Sequence, residues 1–109
     1  MPANMRTIEL TGILDGIKGN ELRREINDSL ADGIDILLID MKAVSFVNSS
    51  GLGSLVSAMQ VVRNANAKLF LCSINDQVRM LFELTKLDRI FQTFVDKDDF
   101  NRQFLAATE

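Results

Sequence analysis

The sequence predicts a single α/β domain with a mixed, mostly parallel sheet of about four to five strands and about four helices. Strand-like apolar runs alternate with segments of helical periodicity along the 109 residues. The apolar run from Ile34 to Ile39, interrupted only by Asp35, is typical of a strand covered on both faces, as in parallel sheets. The only proline is Pro2, and neither a linker nor a repeat is visible, so residues 1–109 are interpreted as one domain.

The first third of the chain predicts a strand and a helix. Thr7–Thr11 is a strand-like run, followed by a turn-rich connector that comprises Gly12–Gly16 and Gly19-Asn20. Asn20 is predicted to cap a helix that begins at Glu21, because its side chain can accept a hydrogen bond from the first turn. One apolar stripe recurs at helical spacing in Leu22, Ile26 and Leu30. Gly33 is predicted to end this helix.

The middle of the chain predicts two strands flanking a helix. The first strand is expected over Ile34–Asp40 and the second over Lys68–Ser73. Between them, a helix is predicted over about Leu52–Ala65. Its buried side is expected to comprise Leu52, Leu55, Val56, Met59 and Val62.

The last third predicts two more helices and a short strand. Asn75 or Asp76 caps a helix with Val78, Leu81, Phe82 and Thr85 at helical spacing. Phe91–Val95 is expected to form a short strand. Asp96 is predicted to cap a closing helix whose inner face carries Phe100, Phe104 and Leu105.

Composition excludes several classes of function. A net charge of −3 without a Lys/Arg block argues against direct binding of nucleic acid. No apolar run reaches the ~20 residues of a membrane span, so membrane insertion is not expected. The one cysteine, Cys72, cannot form an internal disulfide and is predicted to be a buried, inert thiol. These features predict a cytoplasmic protein.

The chain contains no histidine, which excludes Ser-His-Asp triads and His-ligated metal sites. Asp15, Asp35 and Asp40 stand near predicted strand ends and are interpreted as caps or solvated termini, not as an acid–base pair. We therefore expect no enzymatic activity, no cofactor and no metal.

Two adjacent serines, Ser49 and Ser50, lie where the second helix should begin, before Gly51 and Gly53. A serine here can cap the helix, contribute to an anion site, or accept a phosphate. A nucleophile elbow needs glycine two places before the serine, and Val47 stands there. There is no Gly-Lys-Ser/Thr sequence, so a P-loop is excluded. The residues alone leave a structural cap and a modification site open.

The segment Asn48-Ser49-Ser50-Gly51-Leu52-Gly53, after the strand Ile36–Asp40, resembles the signature of STAS domains. It is most similar to the stand-alone anti-sigma factor antagonists of bacteria. The resemblance extends to Gly12–Asp15, Leu69–Leu71 and Val78–Leu87 and so covers most of the chain.

This resemblance implies a phosphorylation-controlled partner switch. The unmodified protein would bind an anti-sigma factor that is also a serine kinase, and phosphorylation of Ser49 would release it. A cognate serine phosphatase would reset the switch. The implied partner-binding residues are Asn48, Ser50, Gly51, Leu52 and Asp15. The alternative implied by the resemblance is a STAS scaffold subunit of a membrane transporter complex of the lipid type.

The sequence departs from the family pattern in two respects. Asn48 occupies the motif position that commonly holds Asp, which affects the expected rate of phosphorylation or the identity of the kinase. Asparagine still accepts a hydrogen bond, so the loop is expected to keep its shape. Family members also usually carry a further strand before the one predicted at Thr7, and Met1–Arg6 can supply little of it.

Overall fold

The computed structural model describes residues 4–106. The strands are β1 (Met5–Leu14), β2 (Ile36–Val47), β3 (Lys68–Cys72) and β4 (Gln92–Phe94). The helices are α1 (Gly16–Ala31), α2 (Ser49–Asn64), α3 (Asp76–Thr85) and α4 (Lys97–Phe100). A 3-10 turn at Leu87–Arg89 precedes β4, and a π-helical turn at Asn101–Leu105 follows α4. The alternation of strands and helices confirms the predicted α/β class.

The four strands of the described chain are parallel and lie in the order β1-β2-β3-β4. Met5 and Arg6 belong to β1 and not to a preceding strand. The strand order follows the chain without reversal, so the right-handed connections α1, α2 and α3 all lie on one face of the sheet. Such a sheet lacks the reversal point at which α/β enzymes usually form a ligand crevice.

Both faces of the central strands are covered, as the apolar run in β2 predicts. Leu37, Ile39 and Met41 join the large core cluster that contains the buried residues of α1, α2 and α3. The alternate residues Ile36 and Leu38 face a smaller cluster on the other side. That second cluster is completed by Phe70, Cys72, Phe94 and Phe100.

The start of α1 differs from the prediction. Asp15 is its N-cap and accepts a hydrogen bond from the Lys18 amide at 2.9 Å, so the helix begins at Gly16. Asn20 therefore lies within α1 and caps nothing, and the predicted connector at residues 12–16 is wrong. The glycines of this segment are typical of a turn, which is why a connector is predicted here. In the structure Gly12, at φ +76°, lies inside β1 between two register shifts. Asp15 itself is confirmed as a cap.

Strand β2 runs seven residues beyond its predicted end at Asp40. Its pairing with β1 continues as far as Leu14 opposite Val47, whereas its pairing with β3 stops at Asp40. Beyond Met41 only Val44 and Val47 are buried. The extension therefore lacks the alternating apolar pattern by which a strand is recognised in a sequence.

The predicted elements of the second half are largely confirmed. Asn75 caps α3 through its side chain, and Asp96 caps α4 in the same way. Helix α2 starts three residues earlier than predicted, at Ser49. Its buried side includes Leu55, Met59 and Val62 as predicted, together with Gly51 and Ala58, whereas Leu52 and Val56 are half-buried. Cys72 is fully buried, and this burial raises the pKa of its thiol, as expected of an inert cysteine.

Lys97 ties α4 to the first two strands. Its Nζ lies 3.3 Å from a carboxylate oxygen of Glu9 on β1 and 3.5 Å from one of Asp40 on β2. The hydrogen bond to Glu9 and the negative charge of that residue raise the pKa of Lys97. Asp40 is nearly buried beneath this contact. The interpretation of Asp40 as a solvated strand end is therefore wrong.

Asp99 fixes the turn that leads into α4. One carboxylate oxygen accepts a hydrogen bond from the Val95 amide at 2.9 Å, and the other accepts one from the Gln103 side chain. These two hydrogen bonds, and then the positive charge of Arg102, hold the pKa of Asp99 below its usual value. The charged form of Asp99 therefore stabilises the folded state.

A depressed carboxyl pKa predicts acid-sensitive stability. The contribution of Asp99 is present above its unfolded pKa of about 3.9 and is lost as pH falls through its lower folded pKa. The free energy of unfolding of Asp99→Asn should therefore fall less than that of the wild type between pH 6 and pH 3, as measured by urea titration. The control is Asp98→Asn at the exposed neighbouring position. Equal acid dependence in both variants and the wild type would contradict this role.

Candidate functional site

The serine segment, by which we mean residues 48–53, lies where the carboxyl ends of β1 and β2 lead into α1 and α2. Leu14 and Val47 are paired at the ends of the two strands, and the Asn48 amide donates a hydrogen bond to the Leu14 carbonyl at 3.2 Å. Asp15 and Asn48 follow directly as the two helix caps. The N-termini of α1 and α2 therefore lie side by side at one edge of the sheet.

Asn48 is the cap of α2. Its backbone is extended, and its side-chain oxygen accepts a hydrogen bond from the Gly51 amide at 2.8 Å. Its carbonyl accepts the first bond of the helix, from Leu52 at 2.9 Å. The hypothesis that a serine caps α2 is therefore wrong. Asn48, one residue before Ser49, is the cap.

Ser49 and Ser50 are the first two residues of α2, and both are exposed. Within residues 4–106 neither hydroxyl group takes part in a hydrogen bond, although the Ser50 carbonyl accepts one from Ser54. The Ser49 side chain is therefore presented to solvent from a fixed helical position. A modification of the Ser49 hydroxyl would therefore break no hydrogen bond to the described residues.

Gly51 is required by a close approach of two backbones. A Cβ at this position would overlap the carbonyl group of Leu14. The residue is buried although it lies in the first turn of a helix. Contact across the neighbouring helices is also close, since a Cβ on Gly16 would lie 3.5 Å from that of Ser50. These contacts hold the start of α2 against the end of β1.

Helix α3 secures the end of β2 from the other side. Gln77 accepts a hydrogen bond from the Val47 amide at 3.1 Å and donates one to the Val47 carbonyl at 3.3 Å. Asn75 donates to the carbonyls of Val44 and Ser45 at 3.2 and 3.1 Å. These side chains replace the strand partner that β2 lacks beyond Asp40. The sequence predicts Asn75 only as a cap of α3, and it does not predict the role of Gln77, because no periodic pattern marks that residue.

The structure brings the six sequence-predicted site residues to this one edge. Asn48, Ser49, Ser50 and Gly51 form the first turn of α2 and its cap. Asp15 caps the adjacent α1, and Leu52 is half-buried against the core cluster. Gly51 is buried, so its part in any contact would be to shape the backbone. The roles of these residues in binding and modification stay predictions.

No charged side chain of the described residues is hydrogen-bonded to Ser49. Among residues 4–106 no cluster of three or more potential metal ligands exists. The nearby cap Asn48 is uncharged, and the partial positive charge of the α2 N-terminus favours a negative group there.

Residues 2–100 match the STAS domain family. The chain therefore belongs to that family, which confirms the resemblance seen in the serine segment. None of the helices found between residues 4 and 106 combines the length and apolar character needed to cross a membrane.

Named relatives fall in two groups. An anti-sigma-B factor antagonist of Staphylococcus aureus is 26% identical over 80 residues, which cover 73% of this chain and 74% of the relative. The unphosphorylated form of the anti-sigma factor antagonist SpoIIAA has a similar fold, with a TM-score of 0.74, 20% identity, and coverage of 91% of this chain and 87% of that one. The STAS domain of a SulP transporter from Vibrio cholerae gives a TM-score of 0.81 at 15% identity, with coverage of 99% and 86%.

Replacing the cap should separate the roles of Asn48 and Ser49. Asn48→Ala should lower the free energy of unfolding by about 1 kcal/mol, because the Gly51 amide loses its partner. Asn48→Asp should be close to neutral, since aspartate also caps well. Ser49→Ala should stay within about 0.5 kcal/mol of the wild type. Urea denaturation measures all three, and a loss in Ser49→Ala as large as in Asn48→Ala would contradict the assignment.

Two glycines of the same helix provide a matched test of the close approach. Gly51→Ala should destabilise the protein by about 2–3 kcal/mol, because the new Cβ forces α2 away from Leu14. Gly53→Ala meets open space and should stabilise it by about 0.5 kcal/mol through helix propensity. Thermal and urea unfolding of the two variants check the difference. Equal effects would show that the Leu14 contact does not constrain the helix.

Proposed function

We propose that this STAS domain is a non-enzymatic anti-sigma factor antagonist in the cytoplasm, controlled by phosphorylation of Ser49. In its unmodified form it binds an anti-sigma factor that is also a serine kinase. Phosphorylation of Ser49 weakens this complex, and a serine phosphatase restores the binding form. The antagonist named in Staphylococcus aureus and the fold of SpoIIAA support this proposal.

One observation carries the proposal: Asn48 takes the cap position, which leaves the Ser49 hydroxyl exposed and free of hydrogen bonds within residues 4–106. A kinase could reach this hydroxyl without unfolding the domain. In the reaction the Ser49 Oγ forms a bond to the γ-phosphorus of ATP, the bond to the β,γ-bridging oxygen breaks and ADP leaves, and the hydroxyl proton passes to a base of the kinase.

A phosphate on Ser49 would change the surface and leave the fold intact. It adds roughly −1.5 to −2 charge at the N-terminus of α2, where the helix dipole tolerates an anion. In a complex the same group would be buried against the partner and would lose its hydration. Because Asn48 is neutral, the phosphate avoids the repulsion that an aspartate cap would add. Release would therefore arise at the interface.

The phosphorylated form of SpoIIAA supports a switch without refolding. It matches the fold of this chain with a TM-score of 0.69 at 19% identity, against 0.74 for the unphosphorylated form. Both forms of that protein thus share the architecture described here.

A transporter scaffold is the second candidate, motivated by the fold likeness to the Vibrio cholerae domain. At 15% identity that likeness concerns the fold alone. The exposed serine is not needed by a scaffold. Recovery of this protein with membrane transporter subunits, and without a kinase-type ATPase, would favour this second function.

Charge at position 49 should control binding to the kinase partner recovered from the native cell. Ser49→Ala should bind like the wild type but resist release by ATP. Ser49→Asp should bind about 10-fold more weakly, and phosphoserine placed at position 49 during translation about 100-fold more weakly. These losses correspond to about 1.4 and 2.7 kcal/mol for burying an unpaired charge against the partner. Isothermal titration calorimetry measures the affinities.

The control is Gln60→Glu, which adds one charge at an exposed position of α2 about 16 Å along the helix from Ser49. Its affinity should equal that of the wild type. Equal affinities for wild type and phosphoserine protein would refute the switch.

A further inference from the structure

Two large apolar side chains are exposed next to the serine segment. Ile13 on β1 is 52% exposed and Phe46 on β2 is 45% exposed. They are paired across the two strands, so we treat them as one surface, the Ile13–Phe46 pair. Their neighbours Leu14 and Val47 are each only 1% exposed. The pair therefore belongs to the ordered, paired part of β1 and β2.

The direction of the pair follows from strand geometry. Successive side chains of a strand point to opposite faces. Leu14 and Val47 point into the core beneath α1, α2 and α3. The Ile13–Phe46 pair consequently points to the other face of the sheet.

Helix α4 contacts β2 earlier along the strand, through the Lys97–Asp40 ion pair and the cluster around Phe100. The cluster that it completes covers Ile36, Leu38 and Phe70, which lie earlier along β2 and on β3. Phe100 of α4 is fully buried in this cluster, whose described members from β2 are Ile36 and Leu38. Within residues 4–106 the Ile13–Phe46 pair thus stays open on the face opposite α1–α3.

The pair lies close to the acceptor serine along the chain. Phe46 precedes Ser49 by three residues, so even a fully extended chain keeps the two within about 11 Å. Phosphoryl transfer requires the reacting atoms to approach to about 3–3.5 Å. A protein kinase that reaches the Ser49 hydroxyl must therefore cover the surface immediately around it.

We propose that the Ile13–Phe46 pair is the apolar anchor through which the kinase partner docks beside Ser49. This inference rests on the proposed function and names the part of the surface that provides affinity. The partner would present an apolar pocket for the phenyl ring, in keeping with the aromatic anchors that dominate interfaces. In this account the pair provides the affinity for the kinase, and the phosphate on Ser49 causes the complex to dissociate.

The test compares two exposed apolar positions. Phe46→Thr keeps a strand-forming residue and removes the ring, and Ile13→Thr does the same across the ribbon. The control is Leu84→Gln, because Leu84 on α3 is 78% exposed and lies outside the serine segment. Urea midpoints establish that each variant folds.

Phe46→Thr should weaken kinase binding about 10- to 100-fold and lower kcat/KM for Ser49 phosphorylation by a similar factor. Ile13→Thr should weaken binding in the same direction, and Leu84→Gln should stay within about 2-fold of the wild type. If Phe46→Thr destabilises the fold, the result for Ile13→Thr decides.

The outcomes distinguish this inference from the function on which it rests. Wild-type protein that neither binds nor is phosphorylated by the kinase overturns the proposed function, and the inference with it. Wild-type binding together with equal affinities for Phe46→Thr, Ile13→Thr and Leu84→Gln overturns the inference alone. A wild-type homodimer that Phe46→Thr dissociates, with kinase binding unchanged, would assign the pair to a second copy of the chain and also overturn it.

Discussion

The geometry of the site depends on the close contact between Gly51 and the Leu14 carbonyl. Gly51 lets the first turn of α2 approach the end of β1, and the Asn48 amide donates to the same carbonyl. One backbone group of β1 thereby fixes both the direction of α2 and the position of its cap. A side chain at position 51 would separate the helix from the sheet and carry the serine segment with it.

Once α2 is held in this way, the exposure of Ser49 follows from the cap. Asn48 satisfies the Gly51 amide, and the next residue begins the helix with its hydroxyl unoccupied by the described residues. The clamp of Asn75 and Gln77 on β2 adds rigidity on the other side. A switch built on such a site alters charge on a preformed surface, which differs from switches that order or melt a segment.

The sequence predicts the fold class, the strand-to-helix position of the serines and most of the helices, because these depend on local periodicity and caps. It does not predict the extension of β2 to Val47, since pairing with β1 and side chains of α3 replace the usual apolar pattern. It does not predict that Asp15 caps α1 in place of Asn20, because both residue types cap helices well and the end of β1 is what places Asp15 at the helix start. The buried state of Asp40 likewise depends on Lys97, which is distant in the chain.

The measurement that tests the central claim most directly is the phosphate occupancy of Ser49 in the native cell. The protein would be recovered as two fractions, free and in complex with its partner, and each would be analysed by quantitative phosphosite mass spectrometry. A partner switch predicts phosphate on Ser49 in the free fraction and unmodified Ser49 in the complex. Equal occupancy in the two fractions, or an unmodified Ser49 under every growth and stress condition, would contradict it.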